Sequence, residues 1–375
     1  MSDEKQDAND WSRSGGPFRA EDAESMGPDP SEPLDDAWRT VREWGAATGA
    51  DWLTSDPPKR RYLLTRPDDK GKDRGAVPLG RVGMLAAAGG AGKSWVLCQL
   101  ALSVATGAKW LGTYTVPERG RVLLALAEEE AEEMQRRLHY AARELALTPI
   151  ECDRARDQIV ALPLAGRGVA LTYSVEELRA MDERKPLPGE LLKTPFADEL
   201  CARLNTPGDD WRLIVLDPLS RFAGPDVEVD NAQATRFVQT LESLTHTRGH
   251  PTVIVAHHTT KGSRADATTG ASAIAARGSS ALTDGVRWQG NLVTPQHAPL
   301  PGFLWFEVTK GNYTVEQTPL MLKRGEHGEL RTPTRDEREA YYAAKKEAKR
   351  KAKAKNDDAT KPSKGKPVGF SDLGR

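Results

Sequence analysis

The sequence predicts an α/β fold, a mostly parallel sheet with helices on both faces and a tail at each end. Three observations carry this. Short continuous apolar runs alternate with longer stretches of helical spacing, as in a sheet buried on both sides. The first of these runs leads into a glycine-rich loop that opens a helix. The apolar runs are confined to about residues 55 to 330, a length at the upper size of one α/β domain.

The ends differ from this middle. Residues 1–54 form an acidic arm in which Asp, Glu, Ser, Pro and Gly dominate, and composition predicts that it is disordered. Within it, DDAWRTVREWGAATGADWL (35–53) places Trp38, Val41 and Trp44 at helical spacing; a docking helix and a plain surface helix both fit. Residues 331–375 form a basic tail containing YYAAKKEAKRKAKAK, also expected to be disordered, which either strengthens nucleic-acid binding at low salt or keeps the chain soluble. The whole chain balances 53 basic against 54 acidic side chains, so net charge identifies no partner. Cys98, Cys152 and Cys201 lie far apart, which suggests neither a disulfide framework nor a zinc site. No run is long and apolar enough for a membrane span, and the N-terminus has no signal-like apolar region; a cytoplasmic protein is expected.

Strands are predicted at RVGMLAA (81–87), RVLLALA (121–127), WRLIVLD (211–217), TVIVAHH (252–258), GVRWQG (285–290) and FLWFEVTK (303–310). SWVLCQLALSVATG follows the first strand as a helix with Leu97, Leu100 and Val104 on one face, and NAQATRFVQTLESLTHT forms another between the third and fourth strands. The stretch 162–198 is longer than a simple connection and is expected to face a channel or cover a site.

The chemistry starts at AAAGGAGKS (86–94), one letter short of the phosphate-loop pattern G-x-x-x-x-G-K-[ST], with Ala87 at the first glycine position. That position makes the turn out of the strand, where a small residue suffices. Gly89, Gly90 and Gly92 keep the flexible part, so that the loop from Gly89 through Ala91 to Trp95 contacts nucleotide, with Lys93 on the β/γ oxygens and the Ser94 hydroxyl on Mg²⁺. Asp217 ends an apolar strand at the edge where ligands bind in parallel sheets and supplies a second metal-shell oxygen. In ALAEEEAEE, Glu128 is the first carboxylate past the second strand and the candidate general base; Glu129 and Glu130 are its neighbours. The loop 259–280 is rich in Gly, Ser, Thr and Ala and carries Lys261, Arg264 and Arg277, which suits sequence-independent contact with a DNA backbone, although a surface loop without a ligand has the same composition.

Taken in order, AAAGGAGKS, AEEE with QRRLHY, LIVLDPLSRF, VIVAHHTTKG, ARGSSALTDGVRWQ and VTKGNY resemble the RecA-like P-loop ATPases of the RepA-type plasmid replicative DNA helicase family, over about residues 60–325. The resemblance implies a homo-oligomeric ring, usually a hexamer, that binds ATP and Mg²⁺ between subunits and single-stranded DNA through its centre. It implies Lys93 and Ser94 at phosphate and metal, Glu128 as base, Asp217 as second-motif acid, and His257 and His258 as γ-phosphate sensors. Arg287 corresponds to a finger reaching the neighbouring site, with Arg277 as the competing candidate. Lys310 and Asn312 end the last strand, facing the adjoining nucleotide. No primase signature or zinc module is present, so a primase or initiator is expected on another chain. The rival readings are a recombinase- or clock-like regulatory ATPase without unwinding, a small-molecule kinase, and a nucleotide-dependent scaffold.

Overall fold

The computed structural model describes residues 53–173, 193–208, 210–224, 226–259, 280–295, 298–314 and 316–359, with side chains to residue 353. The chain divides into two units, Met1–Arg60 and Arg61–Arg375. Of the first, residues 53–60 are described, a turn followed by irregular chain. The helix expected at 35–53 falls outside the described residues.

The second unit begins with a hairpin, β1 (Tyr62–Pro67) and β2 (Asp73–Pro78), followed by β3 (Val82–Ala87) and α1 (Lys93–Thr106). Then come β4 (Arg121–Leu126), α2 (Ala131–Glu144), α3 (Pro149–Gln158), β5 (Ile159–Pro163), α4 (Pro195–Leu204) and β6 (Trp211–Asp217). The chain continues through α5 (Leu219–Phe222), α6 (Asn231–Thr245), β7 (Thr252–His258), α7 (Ser280–Gly285), β8 (Trp288–Val293), β9 (Phe303–Gly311), β10 (Leu320–Arg324), β11 (Leu330–Arg331) and α8 (Arg335–Ala359).

Nine strands form one sheet in the order β11-β10-β9-β8-β3-β7-β6-β4-β5. The six from β8 to β5 are mutually parallel, and β9, β10 and β11 extend them antiparallel. Period-two alternation divides each central strand between two cores. Leu85, Leu124, Val215 and Ala256 face the layer built on α1. Met84, Leu123, Leu216 and Val255 face the layer containing Phe222, Phe237 and Leu241. Both faces are therefore buried, as the unbroken apolar runs require.

Helix α1 is buried nearly all round, beyond the single face read from its spacing, because it is enclosed by the sheet, α2, α3 and the strand extension. Its buried Gln99 amide donates to the Leu330 carbonyl of β11 at 2.8 Å.

Three sequence expectations are corrected. The strand expected at 285–290 is Trp288–Val293, since α7 takes the chain through Gly285. Residues 159–163, where no strand is expected, are the edge strand beside β4. Much of the C-terminal segment expected to be disordered is helix α8. Ala, Lys, Arg and Glu favour helix, and Glu337 anchors the first turn by accepting from Arg331 (2.7 and 2.8 Å) and Lys323 (2.8 Å) while closing a capping box with Thr334. Those partners hold the Glu337 carboxyl well below the usual carboxylate range. Tyr341, 1% exposed, packs on Phe303 and Trp305. Of the long stretch 162–198, residues 174–192 lie outside the described part; a bridge between Thr172 and Lys193 joins its two ends. Among the described residues no helix is long and apolar enough to cross a membrane.

Candidate nucleotide site

The parallel strands end together: Ala87 pairs with His258, and Leu126 with Asp217. This carboxyl edge gathers the loop 88–92, Lys93, Ser94, Glu128, Asp217 and His258. Ala87 is still extended strand, which any residue adopts. The left-handed conformation that favours glycine occurs at Gly90 (φ 74°) and Gly92 (φ 104°), and Gly89 does not need it. The missing first glycine therefore costs the loop nothing.

Lys93 is buried, and its ammonium donates to the Ala87 and Ala88 carbonyls (3.1 and 3.5 Å) and to His258 Nδ1 (3.1 Å). Burial pulls its pKa down, against the attraction of Asp217 and Glu128. His258 accepts from Lys93 as the neutral imidazole; burial, then the Lys93 charge, lowers its pKa. Asp217 is 5% exposed and its pKa is raised by burial, opposed by a hydrogen bond from the Ser94 hydroxyl and by Lys93. A hydroxyl and a buried carboxylate beside an ammonium make an all-oxygen donor set with a phosphate counter-charge, and this fits a hard cation carried on a nucleotide phosphate.

The two histidines part company. His258 points with Ile254 and Ala256 toward α1, whereas His257, one residue earlier, is buried on the opposite face, 3.8 Å from the Glu228 carboxylate. The acidic run separates similarly. Glu129 is engaged by Arg137 at 2.7 Å and burial raises its pKa, while Glu128 is half-exposed, 3.4 Å from Arg221. The charge of Glu128 acts on Lys93, Asp217 and His258 alike.

Arg287, Lys310 and Asn312 are not at this edge. Arg287 N–H donates to the Val82 carbonyl, at the start of β3, and Asn312 N–H to the Arg287 carbonyl. Because β9 runs antiparallel to β8, its end returns to this amino edge, where Lys310 donates to the Thr283 and Asp284 carbonyls (2.7 and 2.8 Å) at the end of α7. A six-residue strand separates the two edges by about 17 Å. Arg287, Lys310 and Asn312 therefore cannot touch a nucleotide held by the phosphate loop of their own chain. Lys261, Arg264 and Arg277 lie outside the described residues.

Sequence reasoning missed the wall of the site. Arg324, at the end of β10, donates to the Gly90 and Ala91 carbonyls (3.0 and 2.8 Å), more than 230 residues away in sequence. The following turn brings Gly328 against the Trp95 indole, where a Cβ would come within 2.6 Å of the ring nitrogen. His327 stacks on Tyr140 of α2 with ring centres 3.7 Å apart, and Arg137 lies 5.9 Å from the Trp95 ring centre. No local motif signals these contacts. Replacing Arg324 by Ala should lower unfolding stability by about 2 kcal/mol in denaturant titrations, the scale of hydrogen bonds from a charged donor, and weaken nucleotide binding by loosening the loop.

One strand, β7, lies between the phosphate-loop strand and the Asp217 strand, and the whole is a mostly parallel α/β sheet with the phosphate loop at its carboxyl edge. Two solved structures with low similarity are a RadB recombinase (14% identity, covering 68% of this chain and 92% of that one, TM-score 0.41) and the ATPase domain of a second protein (11%, 68% and 85%, TM-score 0.42). A family model described as an AAA domain matches residues 42–264, more than half of the chain. With the phosphate loop, the acidic strand end and the candidate base all inside that match, the chain belongs to the AAA domain family of P-loop ATPases.

Proposed function

We propose that this chain is the ATP-dependent motor of a RepA-type replicative DNA helicase, which assembles head to tail into a ring, the hexamer that the resemblance implies, and translocates on single-stranded DNA. The reading is carried by one observation: groups suited to a nucleotide occupy both edges of the same sheet, and the set at the amino edge is out of reach of the chain's own phosphate loop. A head-to-tail interface brings the two sets together and, if its rotation closes, makes a ring.

In this reading Lys93 leaves the loop carbonyls for the β/γ-phosphate oxygens, and Ser94 and Asp217 would hold Mg²⁺, which when bound would supply positive charge to offset that of the phosphates. Glu128 orients and deprotonates the attacking water, and neutral His258 senses the terminal phosphate beside Lys93. Arg287 of the adjoining subunit stabilises transferred charge, and Lys310 and Asn312 support it at the interface. Lys261, Arg264 and Arg277 track the DNA backbone.

Steady-state ATP hydrolysis with and without single-stranded DNA, with oligomeric mass measured in the same samples, tests the proposal. DNA should accelerate hydrolysis, and Lys93→Ala should reduce it by about 10²–10³-fold, the scale for removing one electrostatic contact to the transition state. Hydrolysis indifferent to DNA removes the helicase and leaves a regulatory ATPase. Phosphate delivered to a small-molecule acceptor leaves a kinase.

A further inference from the structure

Helix α8 carries a row of cations that the nucleotide site does not use. Its first turns are fastened to the body through Glu337 and Tyr341, and the rest of its side chains are mostly exposed. Arg335, Arg338, Tyr342, Lys345 with Lys346, Lys349 and Lys353 succeed one another at intervals of three or four residues and so fall on one side of the helix. The row runs for about 27 Å at 1.5 Å per residue. Between 345 and 353 six cations face a single acid, Glu347, which is paired with Lys351 at 2.7 Å. Among the described residues Lys345, Lys346, Lys349, Arg350 and Lys353 make no ion pair. Tyr342, 56% exposed, sits within the same row.

Like charges at these spacings destabilise a helix, so the row costs stability unless an anion covers it. A membrane surface fits poorly, because an interfacial helix needs a broad apolar face, and beyond Tyr341 and Tyr342 the apolar residues of α8 are all alanine. A flexible strand of regularly spaced phosphates can lie along the row, with an unpaired base on the exposed phenol ring. We propose that this face of α8 binds the backbone of single-stranded nucleic acid, at a place separate from the ATPase site and without need of nucleotide.

The test is fluorescence-anisotropy titration of the full-length protein with a labelled oligo-dT, without ATP, from 50 to 200 mM salt. Replacing Lys345, Lys346, Lys349 and Lys353 together by Gln should weaken binding at 50 mM salt at least tenfold. It should also make the slope of log K against log salt shallower by about 3, near 0.7 per lost phosphate contact. Tyr342→Ala should weaken binding about fivefold or more. The same four positions changed to Arg keep charge and helix and should bind like the parent, which separates loss of charge from loss of fold. Hydrolysis without DNA should be unchanged in all variants, so failure here and failure of the helicase reading are seen in different assays. An unchanged slope in the Gln variant, absence of oligo-dT binding by the parent, tighter binding to a duplex with Tyr342→Ala silent, or equal dependence on these lysines for phosphatidylserine vesicles would each overturn the proposal.

Discussion

Mixing Arg287→Ala subunits with Glu128→Gln subunits should restore ATP hydrolysis that neither variant has alone. Arg287 immediately precedes β8 at the amino edge of the sheet, and Glu128 follows β4 at the carboxyl edge, so in the proposed head-to-tail ring each interface would take its base from one chain and its arginine from the next. Arg287→Ala by itself should lower kcat by about 10³–10⁵-fold, the effect of losing an arginine finger, without change in assembly mass. In a random equal mixture about a quarter of head-to-tail interfaces combine an intact Glu128 with an intact Arg287, and that share of activity should return. No recovery in an assembly of unchanged mass would show that Arg287 does not act across an interface.

Glu128→Gln alone should lower kcat by about 10²–10⁴-fold with nucleotide binding retained, because a neutral amide can still position water but cannot take its proton. Glu129→Gln is the contrasting variant. Its carboxylate is committed to Arg137, beside the Trp95 ring, so its loss should disturb nucleotide affinity more than turnover. The two are separated by single-turnover hydrolysis at saturating ATP. A larger loss of turnover from the Glu129 change would transfer the role of base to that residue.

The acidic run illustrates how far sequence reading reaches. AEEE placed carboxylates at the end of a strand, and only the positions of Arg137 and Arg221 distinguish the first from the second. The paired histidines placed two imidazoles at the end of another strand, and the period of two sent one to Lys93 and the other into the opposite core beside Glu228. Departures elsewhere have equally local causes. Gly285 ends a short helix, so the strand after it starts at Trp288. Glu337 and Tyr341 fasten a segment whose charge composition reads as disordered.

By itself the sequence determined that the central strands are parallel and buried on both faces, and that a phosphate-loop motif sits where the first of them meets its helix. Those properties depend on the period of apolar residues and on a loop within one short stretch, both local. Tertiary structure alone decided that Arg324 braces the phosphate loop, that His327 meets Tyr140, and that Arg287 and Lys310 stand at the far edge. Each depends on the order and direction in which distant strands join the sheet. That choice is fixed by packing between separate segments, some of them more than two hundred residues apart, which no local pattern records.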